Sequence, residues 1–245
     1  MDISISETKN ELGEKAAMHG AKYIREAIAD KGYANIIVAT GASQFEMLEN
    51  LVKEPNIDWS VVTMFHLDEY VDLPETHPAS FRKYLKERFE QQLPSPLKAA
   101  YYVNGEGNVE ENLAELNAII EDHPIDLCFA GIGENGHLAF NDPPANFDTE
   151  VPYLVVDLDE DCRKQQLGEG WFPNLEAVPA QAISMSIKQI MKSGVLIISV
   201  PDERKAQAVK NTVEQEVSNL FPASIMQNHD ACYLYLDQPS ASKLG

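Results

Sequence analysis

The sequence predicts an α/β protein: a single domain whose mostly parallel sheet is covered by helices on both faces. Short apolar, β-branched runs alternate with segments of helical periodicity at least five times along the 245 residues. Parallel strands need crossover connections of this kind, and strands buried on both faces are short and apolar. No internal repeat, low-complexity segment or obvious linker divides the chain. We therefore predict one domain over residues 1–245.

Each element of the first half has its own local signal. Leu12, Ala16 and Ile28 approximate one apolar helical face, and Pro78 suits the first turn of a helix. In order, we predict a helix over 7–30, a strand over 34–39, a helix over 45–52, a strand over 61–65, a helix over 78–89, a strand over 99–103 and a helix over 109–121.

The second half continues the alternation. Its predicted strands are 125–130, 153–156, 195–200 and 231–236, with a short helix after 182–186 and a longer one over 201–213. Residues 157–170 are polar and acidic and contain two glycines, so they are expected to form a mobile lid or a surface loop.

Residues 125–144 are the segment around which the chain is organised. An apolar run is followed by a turn that contains three glycines, His137 and Asp142. In α/β proteins, ligands bind beyond the carboxyl ends of parallel strands, which is where this turn would place His137. The alternative is a plain strand-to-helix turn with a half-buried histidine.

Two further turns are candidates for chemistry. Thr40, Gly41, Ala42 and Ser43 follow a predicted strand and precede a helix, an arrangement that directs backbone N–H groups at an anion. The alternative is a helix cap made by Ser43. The adjacent carboxylates of residues 68–69 also follow an apolar strand, and they indicate either acid–base chemistry or a solvated loop.

Composition restricts the partners. A net charge of −20 repels nucleic acids and acidic membranes, so neither is an expected partner. The few cations near turns are then informative, and Lys205, in a helical first turn, runs against the helix dipole. The three cysteines are odd in number and widely spaced, and with no signal-peptide pattern they indicate a cytoplasmic protein with reduced thiols. No Cys/His spacing suggests a zinc site.

Four separated blocks give the chain a resemblance to a known family, the glucosamine-6-phosphate deaminase/isomerase family, which includes 6-phosphogluconolactonases. The likeness runs from about residue 34 to 237. The blocks are residues 39–43, 65–74, 131–143 and 200–206.

The resemblance implies a Rossmann-like fold of the sugar-phosphate isomerase type and a role for each matching residue. Asp68 matches the base that moves a proton between C2 and C1 of the sugar, and His137 matches the histidine that opens the pyranose ring. Asp142 matches a glutamate that supports this histidine. The phosphate loop and phosphate-binding lysine are matched by Thr40, Gly41, Ala42, Ser43 and Lys205, and Glu69 and Gly136 are counted with the substrate-contacting residues.

The chain departs from the family pattern at three places. Asn135 stands where the deaminases have an aspartate, and we expect its amide oxygen to fix the tautomer of His137. Asp142 is one methylene shorter than the family glutamate. The lid arginine that helps to hold phosphate has no clear counterpart, and Arg163 is the expected substitute.

The resemblance implies deamination and isomerisation of an amino-sugar 6-phosphate, of either the gluco or the galacto configuration. It requires no metal and no organic cofactor. The alternatives are lactone hydrolysis and a non-catalytic sugar-phosphate sensor. Lactonases typically have an arginine where Tyr70 stands here, so deamination is preferred. The sequence leaves the formation of a homo-oligomer open.

Overall fold

A seven-stranded sheet forms the centre of the molecule, and a separate three-stranded sheet packs beside it. The computed structural model describes all 245 residues. The strands are β1 (Asp2–Ser6), β2 (Ala34–Val38), β3 (Val62–His66), β4 (Asp68–Tyr70), β5 (Ala99–Tyr101), β6 (Leu127–Ala130), β7 (Tyr153–Asp157), β8 (Gln181–Met185), β9 (Val195–Val200) and β10 (Cys232–Asp237). The helices are α1 (Lys9–Lys31), α2 (Phe45–Leu51), α3 (Phe81–Arg88), α4 (Val109–Glu121), α5 (Glu160–Gly168), α6 (Ile187–Met191), α7 (Ala206–Glu214) and α8 (Gln238–Ala241).

The strand order of the large sheet creates a crevice at its centre. The order is β1-β10-β9-β6-β2-β3-β5, and every pairing is parallel. From β2 the chain moves outward through β3 and β5, and β6 then returns to the other side of β2. The loops that follow β2 and β6 therefore diverge at a topological switch point, the usual ligand site of such sheets.

Helices cover both faces of the large sheet because successive strand residues point to opposite sides. In β2, Ile36 and Val38 pack in one apolar cluster, which includes residues of α1, α2 and α3. Ile37 packs in the other cluster, with residues of α4, α6 and α7. The predicted fold class is thus confirmed. None of the eight helices is both long enough and apolar enough to cross a membrane.

Helix α1 shows how local sequence sets the packing. The hydroxyl of Thr8 accepts from the backbone at the start of the helix, and Gly32, with φ of 82°, ends it by donating to Ile28 O. Gly20 lets the helix lie against the sheet, since a Cβ at this position would come within 2.2 Å of the Phe129 ring.

The three-stranded sheet β4-β8-β7 is antiparallel and was not predicted. Its strand β4 has only three residues and follows β3 after the single residue Leu67, so the sequence shows one apolar run instead of two strands. The consequence matters for function: pairing with β8 places Asp68 opposite Ser184 and fixes its backbone at the edge of the large sheet.

Two other elements differ from the predictions. Strand β1 was missed because it is an edge strand whose Ile3 and Ile5 remain about 40% exposed, leaving polar residues on its buried side. Residues 157–170 were expected to be a lid or a loop, but most of them form α5, whose first turn is capped by the carboxylate of Asp159. A mostly polar helix with a narrow apolar face gives little periodic signal.

Candidate active site

A cavity of about 550 Å³ opens at the carboxyl edge of the large sheet, at the switch point between β2 and β6. The loops after β2, β3, β6 and β9 supply most of its lining, and α5 covers part of it. The lining includes all four residues of the 40–43 turn, Asp68, His137 and Lys205. Four turns that are far apart in the sequence thus meet around one space.

One end of the cavity is suited to an anion. Lys205 is only 8% exposed, and no carboxylate oxygen lies within 4.0 Å of its Nζ. The other two cations of the lining are paired: Lys9 with Glu46 at 2.8 Å and Arg204 with Asp202 at 3.1 Å. A buried ammonium without a partner is costly, so this position favours a negatively charged ligand.

The turn at residues 40–43 lines the same cavity as this lysine. Gly41 has a φ of 89°, a conformation that favours glycine. Burial lowers the pKa of Lys205, and the carboxylates of Glu169 and Glu134 oppose this effect. A phosphate bound here would restore the full preference of the lysine for its charged form.

Asp68 is the second chemical group of the cavity. The residue is 6% exposed, and burial, followed by the charge of the adjacent Glu69, raises the pKa of its carboxyl from 3.8 to about 8. A carboxylate with a pKa in this range is a strong enough base to accept a proton from carbon next to a carbonyl, and it still ionises near neutral pH.

Replacement of Asp68 by asparagine should stabilise the fold in a pH-dependent way. Below pH 3.8 both the folded and unfolded chains hold the proton, so the carboxyl has no cost. Between pH 4 and 8 Asp68 is ionised in the unfolded chain but remains mostly protonated in the folded chain. Each pH unit between the two pKa values lowers the stability of the wild type by about 1.4 kcal/mol. We expect Asp68→Asn to unfold at higher urea concentration than the wild type, with a difference of several kcal/mol at pH 8 that vanishes near pH 4. The exposed variant Asp157→Asn should show no such trend; equal stability of Asp68→Asn and wild type at pH 8 would contradict the raised pKa.

His137 and Asp142 form the third group. The imidazole Nδ1 lies 2.9 Å from Oδ1 of Asp142, and both side chains are less than 10% exposed. Burial opposes ionisation of Asp142, but hydrogen bonds from His137 and Asn135 outweigh it and hold the pKa of this carboxyl below its usual range. The ionised Asp142 keeps the proton on Nδ1, and Nε2 of the imidazole is left with a free lone pair.

The loop wraps closely around this imidazole. A Cβ at Gly133 would lie 2.3 Å from Nε2 of His137, so only glycine fits beside the ring. The same glycine donates its N–H to the carbonyl of His137 at 3.0 Å. Gly133 therefore fixes both the backbone and the side chain of the histidine.

Comparison with known proteins agrees with this geometry. Residues 7–234 match the family model of glucosamine-6-phosphate isomerases and 6-phosphogluconolactonases. A glucosamine-6-phosphate deaminase of Streptococcus suis is 39% identical over 211 residues, which are 84% of this chain and 86% of the relative. The chain belongs to this family.

The solved structures extend the comparison. A monomeric glucosamine-6-phosphate deaminase superimposes with a TM-score of 0.90 at 29% identity, covering 99% of both chains. A 6-phosphogluconolactonase from Shewanella baltica reaches a TM-score of 0.80 at 17% identity and 97% coverage of each chain, which shows the shared fold.

The deaminase pattern implied by the resemblance has an aspartate where this chain has Asn135, and the structure shows what the amide does. Its oxygen accepts the backbone N–H of His137 at 3.1 Å, and its nitrogen donates to Asp142 at 2.9 Å and to Asp159 at 3.5 Å. The expectation that this oxygen fixes the histidine tautomer was wrong, because Asp142 occupies that position. The amide instead lies between two carboxylates, where a donor is needed and a third carboxylate would be repelled.

Three residues predicted to contact the substrate lie outside the cavity lining. Glu69 points to the opposite side of β4 from Asp68, where it accepts from Ser80 and Arg82 and holds the start of α3. Gly136, with φ of 87°, forms the turn before His137. Arg163 does not replace the lid arginine, since its guanidinium donates to backbone carbonyls at 2.7 and 3.0 Å.

Sequence reasoning also missed residues that face the cavity. Helix α5 contributes Gln165 and Gln166, and the residue after it, Glu169, lines the same wall. Asp159, at the start of α5, donates its N–H to Oδ2 of Asp142 at 3.2 Å. The only sequence signal was Asp159 itself, a common helix-capping residue, followed by two further acidic residues.

Proposed function

We propose that this chain is a glucosamine-6-phosphate deaminase, which converts glucosamine 6-phosphate and water to fructose 6-phosphate and ammonia. Streptococcal relatives with this name are 36–39% identical over most of the chain, such as that of Streptococcus pneumoniae. The observation that carries the proposal is the convergence of an unpaired buried cation, Lys205, with Asp68 and His137 on one cavity, where Asp142 orients the imidazole from behind the lining.

The first step assigned to the site is ring opening. Nε2 of His137 takes the proton of the C1 hydroxyl and returns it to the ring oxygen, which leaves an aldehyde at C1. Asp142 stabilises the imidazolium that forms in between. Phosphate held by Lys205 and the 40–43 turn fixes the far end of the open chain.

The second step is proton transfer from C2 to C1. Asp68 removes the proton from C2, the resulting enolamine holds its negative charge on the former aldehyde oxygen, and the proton is delivered to C1. A proton then passes from the nitrogen to the C1 oxygen, so the product is an imine at C2 with a hydroxyl at C1. Water adds to this imine and ammonia leaves, which gives the ketose phosphate.

Ammonia release from candidate sugars tests the proposal directly. Glucosamine, galactosamine and mannosamine 6-phosphates are compared at equal concentration, with fructose 6-phosphate measured in parallel. We expect equal amounts of ammonia and ketose phosphate from the gluco substrate, and the galacto sugar in the same assay reports the C4 preference. Hydrolysis of 6-phosphogluconolactone without ammonia release from any amino sugar would replace deamination by lactone hydrolysis, and binding without turnover would indicate a sensor.

Lys205→Ala should raise KM about ten- to a hundredfold. A charge-assisted contact to phosphate contributes roughly 1.5–3 kcal/mol, and 1.4 kcal/mol corresponds to tenfold in affinity. Steady-state kinetics measure the effect, with Lys53→Ala, an exposed lysine paired to Glu49, as the control. An unchanged KM in Lys205→Ala would remove this lysine from the phosphate site.

Gly133→Ala should lower kcat about a hundredfold without unfolding the protein. The added methyl group overlaps the imidazole of His137, which must move by about 1 Å, and displacements of this size cost about 10²-fold. Gly168→Ala is the control, because no atom lies within 4 Å of a Cβ there. Wild-type turnover in Gly133→Ala would show that the position of this imidazole is not critical.

A further inference from the structure

Cys162 lies against the His137–Asp142 pair although the proposed reaction does not use it. It is the third residue of α5, is 1% exposed and forms no disulfide. Its Sγ, a ring nitrogen of His137 and a carboxylate oxygen of Asp142 all lie within 4.8 Å of one another. The three side chains come from two segments, the loop after β6 and the first turn of α5.

These three atoms are a donor set of zinc type. Zn²⁺ is usually bound in proteins by thiolate, imidazole and carboxylate, with bonds of about 2.0–2.3 Å. In a tetrahedral site, bonds of this length place neighbouring ligand atoms about 3.3–3.8 Å apart. Nδ1 and Oδ1 are already 2.9 Å apart, so a cation would have to open this pair slightly, and it would have to draw Sγ closer by at most about 1.5 Å, since the three ligand atoms lie within 4.8 Å of one another.

We propose that His137, Asp142 and Cys162 form an inhibitory site for a borderline-soft divalent cation of the Zn²⁺ type. The inhibitory effect rests on the proposed deaminase function, whereas the binding itself does not.

Charge balance favours this occupant in a buried position. Binding releases the thiol proton, and the proton on Nδ1 of His137 moves to Nε2. The cation, the thiolate and the carboxylate then sum to zero charge, and buried charges are tolerated when they are paired or coordinate a metal. Asn135 and the backbone N–H of Asp159, both of which donate to Asp142, can continue to orient the carboxylate.

The same proton shift explains why the bound cation would inhibit. In the metal-free site, Nδ1 holds the proton and the free lone pair on Nε2 accepts a proton from the sugar. With the cation on Nδ1, Nε2 carries the proton and can no longer accept one. The phosphate end of the cavity is unchanged, so substrate still binds, and inhibition is expected to lower kcat more than it raises KM.

Cobalt binding tests the site without reference to activity. Co²⁺ bound to a thiolate gives a sulfur-to-metal charge-transfer band in the near ultraviolet. We expect one equivalent of Co²⁺ per chain to produce this band in the wild type and in Cys232→Ser, a control at another buried cysteine, and Zn²⁺ to remove it. The band should be absent from Cys162→Ser and from Cys162→Ala. The alanine variant controls for any effect of the serine hydroxyl group.

Zinc inhibition tests the consequence. We expect Zn²⁺ to inhibit the wild type and Cys232→Ser reversibly, with recovery on chelation, and to inhibit Cys162→Ser about a hundredfold more weakly while its metal-free turnover stays at the wild-type level. A cobalt band that persists in both Cys162 variants, or no band in the wild type, would overturn the site. A normal band in a chain that releases no ammonia would overturn the proposed function instead, and a normal band with no inhibition would overturn the inhibitory role.

Discussion

Asp68→Asn should release no measurable ammonia from glucosamine 6-phosphate and should not exchange the C2 hydrogen of the substrate with solvent. The amide preserves the size of the side chain but cannot accept a proton from carbon. General bases contribute up to about 10⁴-fold, and we expect a loss at this upper limit because the proton transfer requires a group fixed beside C2. The loss should fall on kcat, with KM changed little.

The burial of Asp68 is the physical reason to expect so large an effect. A solvated carboxylate would be a weak base at neutral pH, whereas burial and the adjacent Glu69 raise the pKa of Asp68 to about 8. The measurement is deuterium incorporation at C2 and at C1 in heavy water, followed by NMR alongside ammonia release. Asp157→Asn, which removes an exposed carboxylate from the same small sheet, is the matched control. C2 exchange at the wild-type rate in Asp68→Asn would assign the proton transfer to another group.

The central sheet could be predicted from the sequence because each of its buried strands leaves a separate signal. The runs that became β2, β6 and β9 are almost entirely apolar, with Asn35 and Ser199 as the polar exceptions, which is typical of strands buried on both faces. Their turns could be placed at one edge because parallel strands end on the same side. This argument placed His137 at the ligand-binding edge, the resemblance assigned Asp68 and Lys205 to the same site, and all three residues line one cavity.

What could not be predicted depends on side-chain direction and on a second sheet. Glu69 was grouped with Asp68 because the two carboxylates are adjacent, but β4 turns them to opposite sides, and Glu69 pairs with Arg82 at 3.3 Å in the core. The strand that causes this has three residues and is defined by its pairing with β8, which is more than a hundred residues away. Cys162 likewise reaches His137 only through the packing of α5, which no local spacing indicates.

The electrostatics of the site differ from those of the whole molecule. The chain carries a net charge of −20, which repels an anionic sugar phosphate at a distance. At 0.1 M salt, charges separated by more than about 10 Å are largely screened from one another, so this repulsion is weak. The contact between phosphate and the buried, unpaired Lys205 is screened much less. Affinity is therefore expected to depend on the local cation rather than on long-range attraction.

His137→Gln should slow turnover of the cyclic substrate by about 10²–10⁴-fold, the usual contribution of a general acid–base group. The same variant should keep most of its activity on a 4,5-dideoxy analogue, which has no hydroxyl with which to close either a pyranose or a furanose ring. The reason is the proposed division of roles: Nε2 of His137 serves only to open the ring, and Asp68 performs the transfer from C2 to C1. Glutamine is close to histidine in size, so the loop and Asp142 should keep their positions.

The decisive comparison uses two variants and two substrates. Asp68→Asn should fail on both the cyclic sugar and the 4,5-dideoxy analogue, whereas His137→Gln should fail only on the cyclic sugar. His123→Gln, at a half-buried histidine beyond the end of α4, controls for loss of an imidazole elsewhere. If His137→Gln is equally impaired on the 4,5-dideoxy analogue, ring opening is not its only role. The imidazole must then act in the carbon-to-carbon proton transfer, since this analogue reaches the site already open.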